Sequence, residues 1–269
     1  MFVINETKKE MLLTLVGEGK NCLITGATGT GKTTLCFEVA ESLGLNPVVI
    51  NCGSTQDARS SLLGYFTLKD GSTVFEDSDF LRSVQEPNTL IILDELSRAS
   101  DDAYNIIFPV LDFRRNIRVD EKEGEGRMVE VDSSVRFIAT ANVGLEYSST
   151  RSIDRALCDR FRIFNLEYIK GKQLKKYIKS TEGKDISSLA SPLLSLYDYS
   201  HLLFEEGKIA TRISTRAILE SLCLLSKFKM KDIVDFNILS IFEQDSTSIA
   251  SDSNILREYA DSIGIYNED

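Results

Sequence analysis

The sequence predicts an α/β protein: a phosphate-binding αβα sandwich around a parallel sheet, followed by a smaller all-helical C-terminal domain. Three observations carry that expectation. GATGTGKT at positions 26–33 lies between an apolar strand-like run, Cys22-Leu23-Ile24, and a helix-like run, LCFEVA. The apolar stretch TLIIL at 89–93 ends in two acids, Asp94 and Glu95. Beyond Lys170 the strand-like runs stop, and apolar residues recur only at helical spacing.

The first observation has a direct chemical reading. A buried strand that ends in glycines and turns into a helix leaves backbone N–H groups without intrahelical partners, all aimed at the positive end of a helix dipole. A phosphate suits that place. Gly26, Gly29 and Gly31 let the backbone come close to a nucleoside triphosphate, Lys32 reaches the β/γ-phosphates, and the Thr33 hydroxyl holds Mg²⁺.

Composition narrows the class. The 269 residues, 42% hydrophobic and 27% charged, suit one sizeable core plus a smaller second one. No run approaches about 18 apolar residues, and the opening MFVINETKKE lacks the long apolar centre of a secretion signal, so a cytoplasmic protein without a membrane partner is expected. The five cysteines, Cys22, Cys36, Cys52, Cys158 and Cys223, are odd in number and scattered, which predicts buried reduced thiols rather than disulfides or a zinc site. His201 is the only histidine, which excludes His-based triads and His-rich metal sites and reads as structural. A net charge of −10 weakens general affinity for nucleic acid.

Taken in order, residues 6–16 read as a leading helix, 22–26 as the first strand, 32–43 as a helix closed by Gly44, and 47–51 as a second buried strand. A helix starting at 57–63 is interrupted by a hairpin around Asp70-Gly71, and helical character resumes at 80–84. The strand at 89–93 delivers Asp94, to orient Mg²⁺ through its water shell, and Glu95, aimed at the attacking water. A solvated strand end is the bland alternative. Residues 97–115 predict a helix kinked at Pro109, 116–132 a second hairpin, and 135–140 a buried strand that brings Asn142 beside the γ-phosphate; a turn or cap residue is the alternative for Asn142. A short amphipathic helix at 154–161 runs into a strand at 162–166. Arg151, Arg155, Arg160 and Arg162 crowd this region, either as a solvated basic face or as an arginine finger, which would have to come from a neighbouring subunit and so implies a ring. Helical runs at 174–178, 186–204, 218–228, 233–242 and 255–263 complete the chain, with 245–253 as a loop.

With these elements in hand, the chain resembles the AAA+ ATPases, specifically the MoxR-type group with CbbQ, NorQ and the cobaltochelatase small subunit, over roughly residues 10–230. GATGTGKT is similar to the Walker A motif, LIILDE at 90–95 to Walker B, FIATAN at 137–142 to sensor 1, LCDRF at 157–161 to the finger segment and ISTRAI at 213–218 to sensor 2. The resemblance implies ATP and Mg²⁺ as cofactors. It assigns nucleotide contacts to Gly26, Ala27, Thr28, Gly29, Thr30, Gly31, Lys32, Thr33, Thr34 and Asp94, with metal on Thr33 and Asp94, and catalytic roles to Glu95, Asn142, Arg160, Arg155 and Arg216. It implies a core at 1–168, a helical lid at 169–269, and the helix-2-insert clade, with inserts at about 65–77 and 116–132. Phe66, Leu68, Lys69, Val74 and Phe75 would then face what is remodelled, or else pack within the insert. Asn51 stands where some members restrain the catalytic glutamate. The resemblance further implies a homo-oligomeric ring of six and a protein client carrying a von Willebrand factor A domain. The rival reading is a nucleic-acid translocase or the nucleotide-driven subunit of a restriction-type system, to which the basic run at 170–179 would contribute; a nucleotide switch without turnover is a third.

Overall fold

The computed structural model describes residues 5–54, 57–122, 127–142, 159–181, 184–242 and 252–267. By contacts the chain divides into an α/β unit, which holds Gly31–Leu166 and the chain before it up to Ala27, and a second unit, which takes the chain from Glu167 onward together with Thr28–Thr30.

The α/β unit runs α1 (Glu6–Gly17), β1 (Cys22–Gly26), α2 (Lys32–Leu43), β2 (Asn46–Asn51), α3 (Ala58–Leu62), β3 (Gly64–Lys69), β4 (Ser72–Asp77), α4 (Asp79–Ser83), β5 (Thr89–Asp94), α5 (Asp101–Leu111), β6 (Asn116–Arg118), β7 (Met128–Glu130), β8 (Arg136–Asn142) and β9 (Arg162–Leu166). Five of these strands form one sheet in the order β2-β5-β8-β1-β9, with every pairing parallel. Central strands of a parallel sheet are covered on both faces, which is why β1 and β8 are almost wholly buried and TLIIL of β5 is buried throughout. Leu23, Ile91, Leu93, Phe137 and Ala139 share a core with Phe80, Leu81, Ile107 and Val110. Each large side chain so removed from water contributes about 1.5–3 kcal/mol.

The second strand departs from expectation. β2 lies at the sheet edge, only Ile50 of it is buried, and Val49 is 41% exposed. An apolar run shows that a strand prefers burial but does not count its neighbours; Pro47, which has no N–H to donate, is the residue that marks an edge.

The first hairpin stands where it is expected, between α3 and α4. Asp70 and Gly71 both have positive φ (51° and 80°), as its two-residue turn requires. At its base Gly64 admits no other residue, since a Cβ there would lie 2.1 Å from the Glu76 carbonyl oxygen. Phe66 meets Phe75 edge to face at 5.4 Å, yet Phe66 and Leu68 remain largely exposed. The second hairpin also stands where it is expected: among the described residues it pairs from Asn116↔Glu130 to Arg118↔Met128, the Val119 N–H donates to the Arg127 carbonyl and the Val131 N–H to the Arg115 carbonyl, and its tip at 123–126 lies outside the described residues. The expected helix over 97–115 contracts to α5, because Ser97 belongs to a separate 3-10 turn (Leu96–Arg98) and Ser100 accepts from the Ala103 N–H as an N-cap. The finger-segment helix falls mostly on 143–158, outside the described residues. Cys22, Cys36 and Cys52 are buried, but Cys223 is exposed, which corrects the expectation for that thiol; Cys158 lies outside the described residues.

The second unit is helical among its described residues: α6 (Gly171–Thr181), α7 (Lys184–Leu189), α8 (Ser191–Glu205), α9 (Thr215–Leu222), α10 (Met230–Ile233) and α11 (Asp252–Ser262). The apolar run expected as one helix over 186–204 breaks at Ala190, where Pro192 starts α8. Leu193, Leu196, Tyr197, Ile218, Val234, Ile238 and Leu256 form its core. His201 sits half-buried, with Nε2 3.0 Å from the Ile213 carbonyl and its ring against Tyr168 and Tyr197. No helix among the described residues is long and apolar enough to cross a membrane.

Candidate active site

The sheet's carboxyl edge gathers the motif residues. β1 ends at Gly26, and the chain reaches α2 through Gly29 and Gly31, whose φ angles of 79° and 85° suit glycine. Within the α/β unit α1, α3, α4 and α5 each begin on a capping side chain (Asn5, Asp57, Ser78 and Ser100). α2 begins on Gly31, with no side-chain cap. A helix N-terminus so bare fits an anionic ligand. Lys32, 8% exposed, folds back so that Nζ donates to the carbonyls of Gly26 (3.0 Å) and Ala27 (2.8 Å), which holds an ammonium within the loop. Thr34 follows in the first turn of α2.

Asp94 closes β5 beside this loop. The Thr33 hydroxyl donates to its Oδ1 at 3.1 Å, across 61 residues of chain, and the Thr140 hydroxyl donates to the same oxygen at 2.6 Å. Thr140 Oγ1 in turn accepts from the Glu95 N–H at 3.1 Å, so one buried hydroxyl of β8 ties both acids in place. The Asp94 charge is felt nearby: burial first, and Asp94 second, push the Cys52 thiol up to about 12 and raise the Cys36 thiol as well. Both stay protonated and unreactive at neutral pH.

Glu95 occupies the left-handed region (φ 54°), a conformation uncommon for a residue other than glycine. Its Oε2 pairs with Arg98 at 3.0 Å and lies over Gly53. The Asn51 side chain accepts from the Gly53 N–H at 2.9 Å. Asn142, 7% exposed, ends β8 directly opposite Gly26 in the register.

Thr33, Asp94, Glu95 and Asn142 thus come to one edge of the sheet. The arginines do not. Arg160 lies at the opposite end of β1, where the Asn21 side chain donates to the carbonyls of Leu111 (2.8 Å) and Arg160 (3.2 Å), and its guanidinium stacks over Phe108 at 4.5 Å. The five residues of β1 span roughly 17 Å at about 3.3 Å per residue, too far for one guanidinium to bridge. Arg155 lies outside the described residues, and Arg216 belongs to α9 of the second unit.

A hydroxyl and a carboxylate are hard oxygen donors, and no group of three metal-ligating side chains occurs among the described residues. That set fits Mg²⁺, which takes one or two protein oxygens and completes its shell with water and phosphate oxygens. Sequence reasoning passed over Thr140 and Arg98. Thr140 was readable as sharing a strand face with Asn142 two residues on; Arg98 carried no comparable signal.

Residues 21–161, just over half of the chain, match a family model described as an AAA domain of the dynein-related subfamily. Relatives include an uncharacterised protein of Staphylococcus saprophyticus, 28% identical over 249 residues and covering 90% of each chain. Another, from Staphylococcus haemolyticus, is 26% identical over 84% of this chain and 86% of its own. Among solved structures, a Cytophaga hutchinsonii chain described as a candidate ATPase superposes with a TM-score of 0.52 at 15% identity, over 96% of this chain and 89% of that one, a likeness of fold.

Proposed function

The chain belongs to the AAA domain family, dynein-related subfamily, and from that premise we propose that it is an Mg²⁺-dependent ATPase of MoxR type that works as a ring of like subunits, six in number, to remodel or activate a partner protein. The observation that carries the reading is the hydrogen bond from Thr33 to Asp94, which joins the bare start of α2 to the acidic end of β5. The loop 26–34 binds the triphosphate, with Lys32 at the β/γ-phosphates. Thr33 and Asp94 hold Mg²⁺, which when bound neutralises charge on the phosphate oxygens. Glu95 takes a proton from the water that attacks the γ-phosphorus, the bond to the bridging oxygen breaks, and ADP leaves; Asn142 holds that water.

Arg160 of the adjacent subunit stabilises the transferring phosphoryl group, with Arg155 as its second and Arg216 acting from a helical lid at 169–269 on a core at 1–168. The separation of Arg160 from the loop along β1 supports a donated arginine. Hairpins β3–β4 and β6–β7 support the MoxR-type assignment, with Phe66 and Leu68 facing the client, a protein that carries a von Willebrand factor A domain.

Mixing two inactive variants tests the shared site. Arg160→Ala subunits keep Glu95, and Glu95→Gln subunits keep Arg160, so random mixing at equal amounts should restore about a quarter of the sites. ATPase activity no greater than the sum of the two variants alone would defeat the ring reading. Stimulation by DNA that moderate salt abolishes would replace the protein client with a nucleic acid.

A further inference from the structure

We propose that Tyr168 is a positioning residue for the loop 26–34: its hydroxyl holds the Thr28 carbonyl, and through that peptide it sets the direction of the Gly29 N–H. The inference rests on the reading of this loop as a triphosphate site.

Thr28–Thr30, the middle of the loop, group with the helical unit rather than with the strand and helix on either side of them. Two side chains of that unit meet them. Tyr168, two residues beyond β9, donates from its hydroxyl to the Thr28 carbonyl at 2.8 Å, across 140 residues of chain. Ser214, the N-cap of α9, stands against Gly29, where a Cβ would lie 3.0 Å from the Ser214 Cβ. A planar trans peptide points its carbonyl and its N–H in opposite directions, so a Thr28 carbonyl turned to Tyr168 turns the Gly29 N–H away from it. Phosphate-binding loops work by converging N–H groups, and a carbonyl swung in among them would repel the anion. Lys32 already takes the carbonyls of Gly26 and Ala27. Tyr168 takes the next one.

The tyrosine ring is itself held in place. The Arg212 guanidinium lies over it at 4.0 Å and over Phe204 of α8 at 4.4 Å, a cation between two aromatic faces. His201 meets the same ring edge to face at 4.6 Å. The buried Tyr197 hydroxyl donates to the carbonyl of the adjoining Ile169 at 2.8 Å, and the Ile213 N–H, next to Arg212, donates to Ser200 Oγ at 3.1 Å. Tyr168 thus reaches the loop from a stack rooted in α8. Ordering the loop beforehand lowers the cost of ordering it when a ligand arrives. The bond touches no reacting atom, so it favours the ground state and the transition state alike and belongs in KM rather than kcat.

Steady-state ATPase assays on the full chain test the anchor. Tyr168→Phe keeps the ring and its stack and deletes only the hydroxyl. It should raise KM for ATP about two- to fivefold, the size of one solvent-accessible hydrogen bond, and change kcat by less than about twofold. Arg212→Met, which removes the cation from between the rings, should raise KM by less. The two changes together should match Tyr168→Phe alone, because Arg212 acts through the ring. An unchanged KM in Tyr168→Phe, or a fall in kcat as large as the rise in KM, would overturn the proposal; a combined variant weaker than Tyr168→Phe would overturn the part given to Arg212. Nucleotide-free crystal structures supply a readout apart from turnover. The Thr28 carbonyl on Tyr168 in the natural protein and a rotated Thr28–Gly29 peptide in Tyr168→Phe are the expected pair, and one orientation in both would refute it. Should the natural protein bind no ATP in a titration, the triphosphate reading fails on its own, and the crystal structures still decide whether Tyr168 sets that peptide.

Discussion

At its carboxyl end β1 runs into glycines and the uncapped start of α2, whereas at its amino end Asn21 ties the carbonyls of Leu111 and Arg160 together beside an exposed aromatic loop. At the carboxyl end Lys32 and Thr140 are buried, and Asp94 already accepts two hydroxyls. The amino end is open. Phe113 is 93% exposed, and Arg114 pairs with Asp112, whose carboxyl it holds below the usual carboxylate range through their hydrogen bond, with Arg160 adding a smaller effect. The contrast teaches that backbone geometry can leave a helix start uncapped within one strand–helix turn, while a cation placed at the other end of the same strand cannot reach that helix start from within its own α/β unit. On the proposed reading, the two ends meet only between copies.

Removing the arginine breaks the comparison most severely. Arg160→Ala should cost about a thousandfold in turnover, the low end for an arginine finger, and leave nucleotide affinity within about twofold; single-turnover hydrolysis with parallel binding titrations would measure both. Should ATP affinity collapse with the rate, Arg160 would be a structural residue of the amino end. Glu95→Gln is next, with a loss of a few hundredfold from removal of a general base and ATP retained long enough to isolate the complex.

Thr140→Val sharpens the carboxyl end, since it deletes the hydroxyl that donates to Asp94 and accepts from the Glu95 N–H. A drop of about tenfold in turnover and ~1–2 kcal/mol in stability should follow from those two unmade bonds, read by kinetics and urea unfolding. The smallest effect lies away from both ends. Burial lowers the His201 pKa below its ordinary value of 6.5, so the unfolded chain takes up a proton before the folded one does. Stability should fall as pH drops through about 6.5 toward the folded-state pKa, and His201→Gln should flatten that part of the profile.

How much of this was legible beforehand differs by element. The strand and helix around GATGTGKT, the hairpin at Asp70-Gly71 and the burial of TLIIL follow from short-range pattern, and the structure has each in its expected place. The edge position of β2, the late start of α5 at Ser100 and the break at Ala190 were not read. Pro47, Ser100 and Pro192 were the available signals. Each is a single polar or cyclic residue set against a longer apolar run, and the run dominated the reading. Thr140 and Arg98 belong to another class. What matters about them is which oxygen each one reaches, and residue type alone does not carry that.

By itself the sequence determined the glycine-rich turn between β1 and α2, the strands that carry the acids and Asn142, and the change from mixed to helical periodicity, because each depends on residues within a few positions of one another. Only the tertiary structure decided that Thr33 and Thr140 share one oxygen of Asp94, that Glu95 rests on Gly53, and that Arg160 stands at the far end of β1. Those are meetings between segments tens of residues apart, chosen by strand order and side-chain packing.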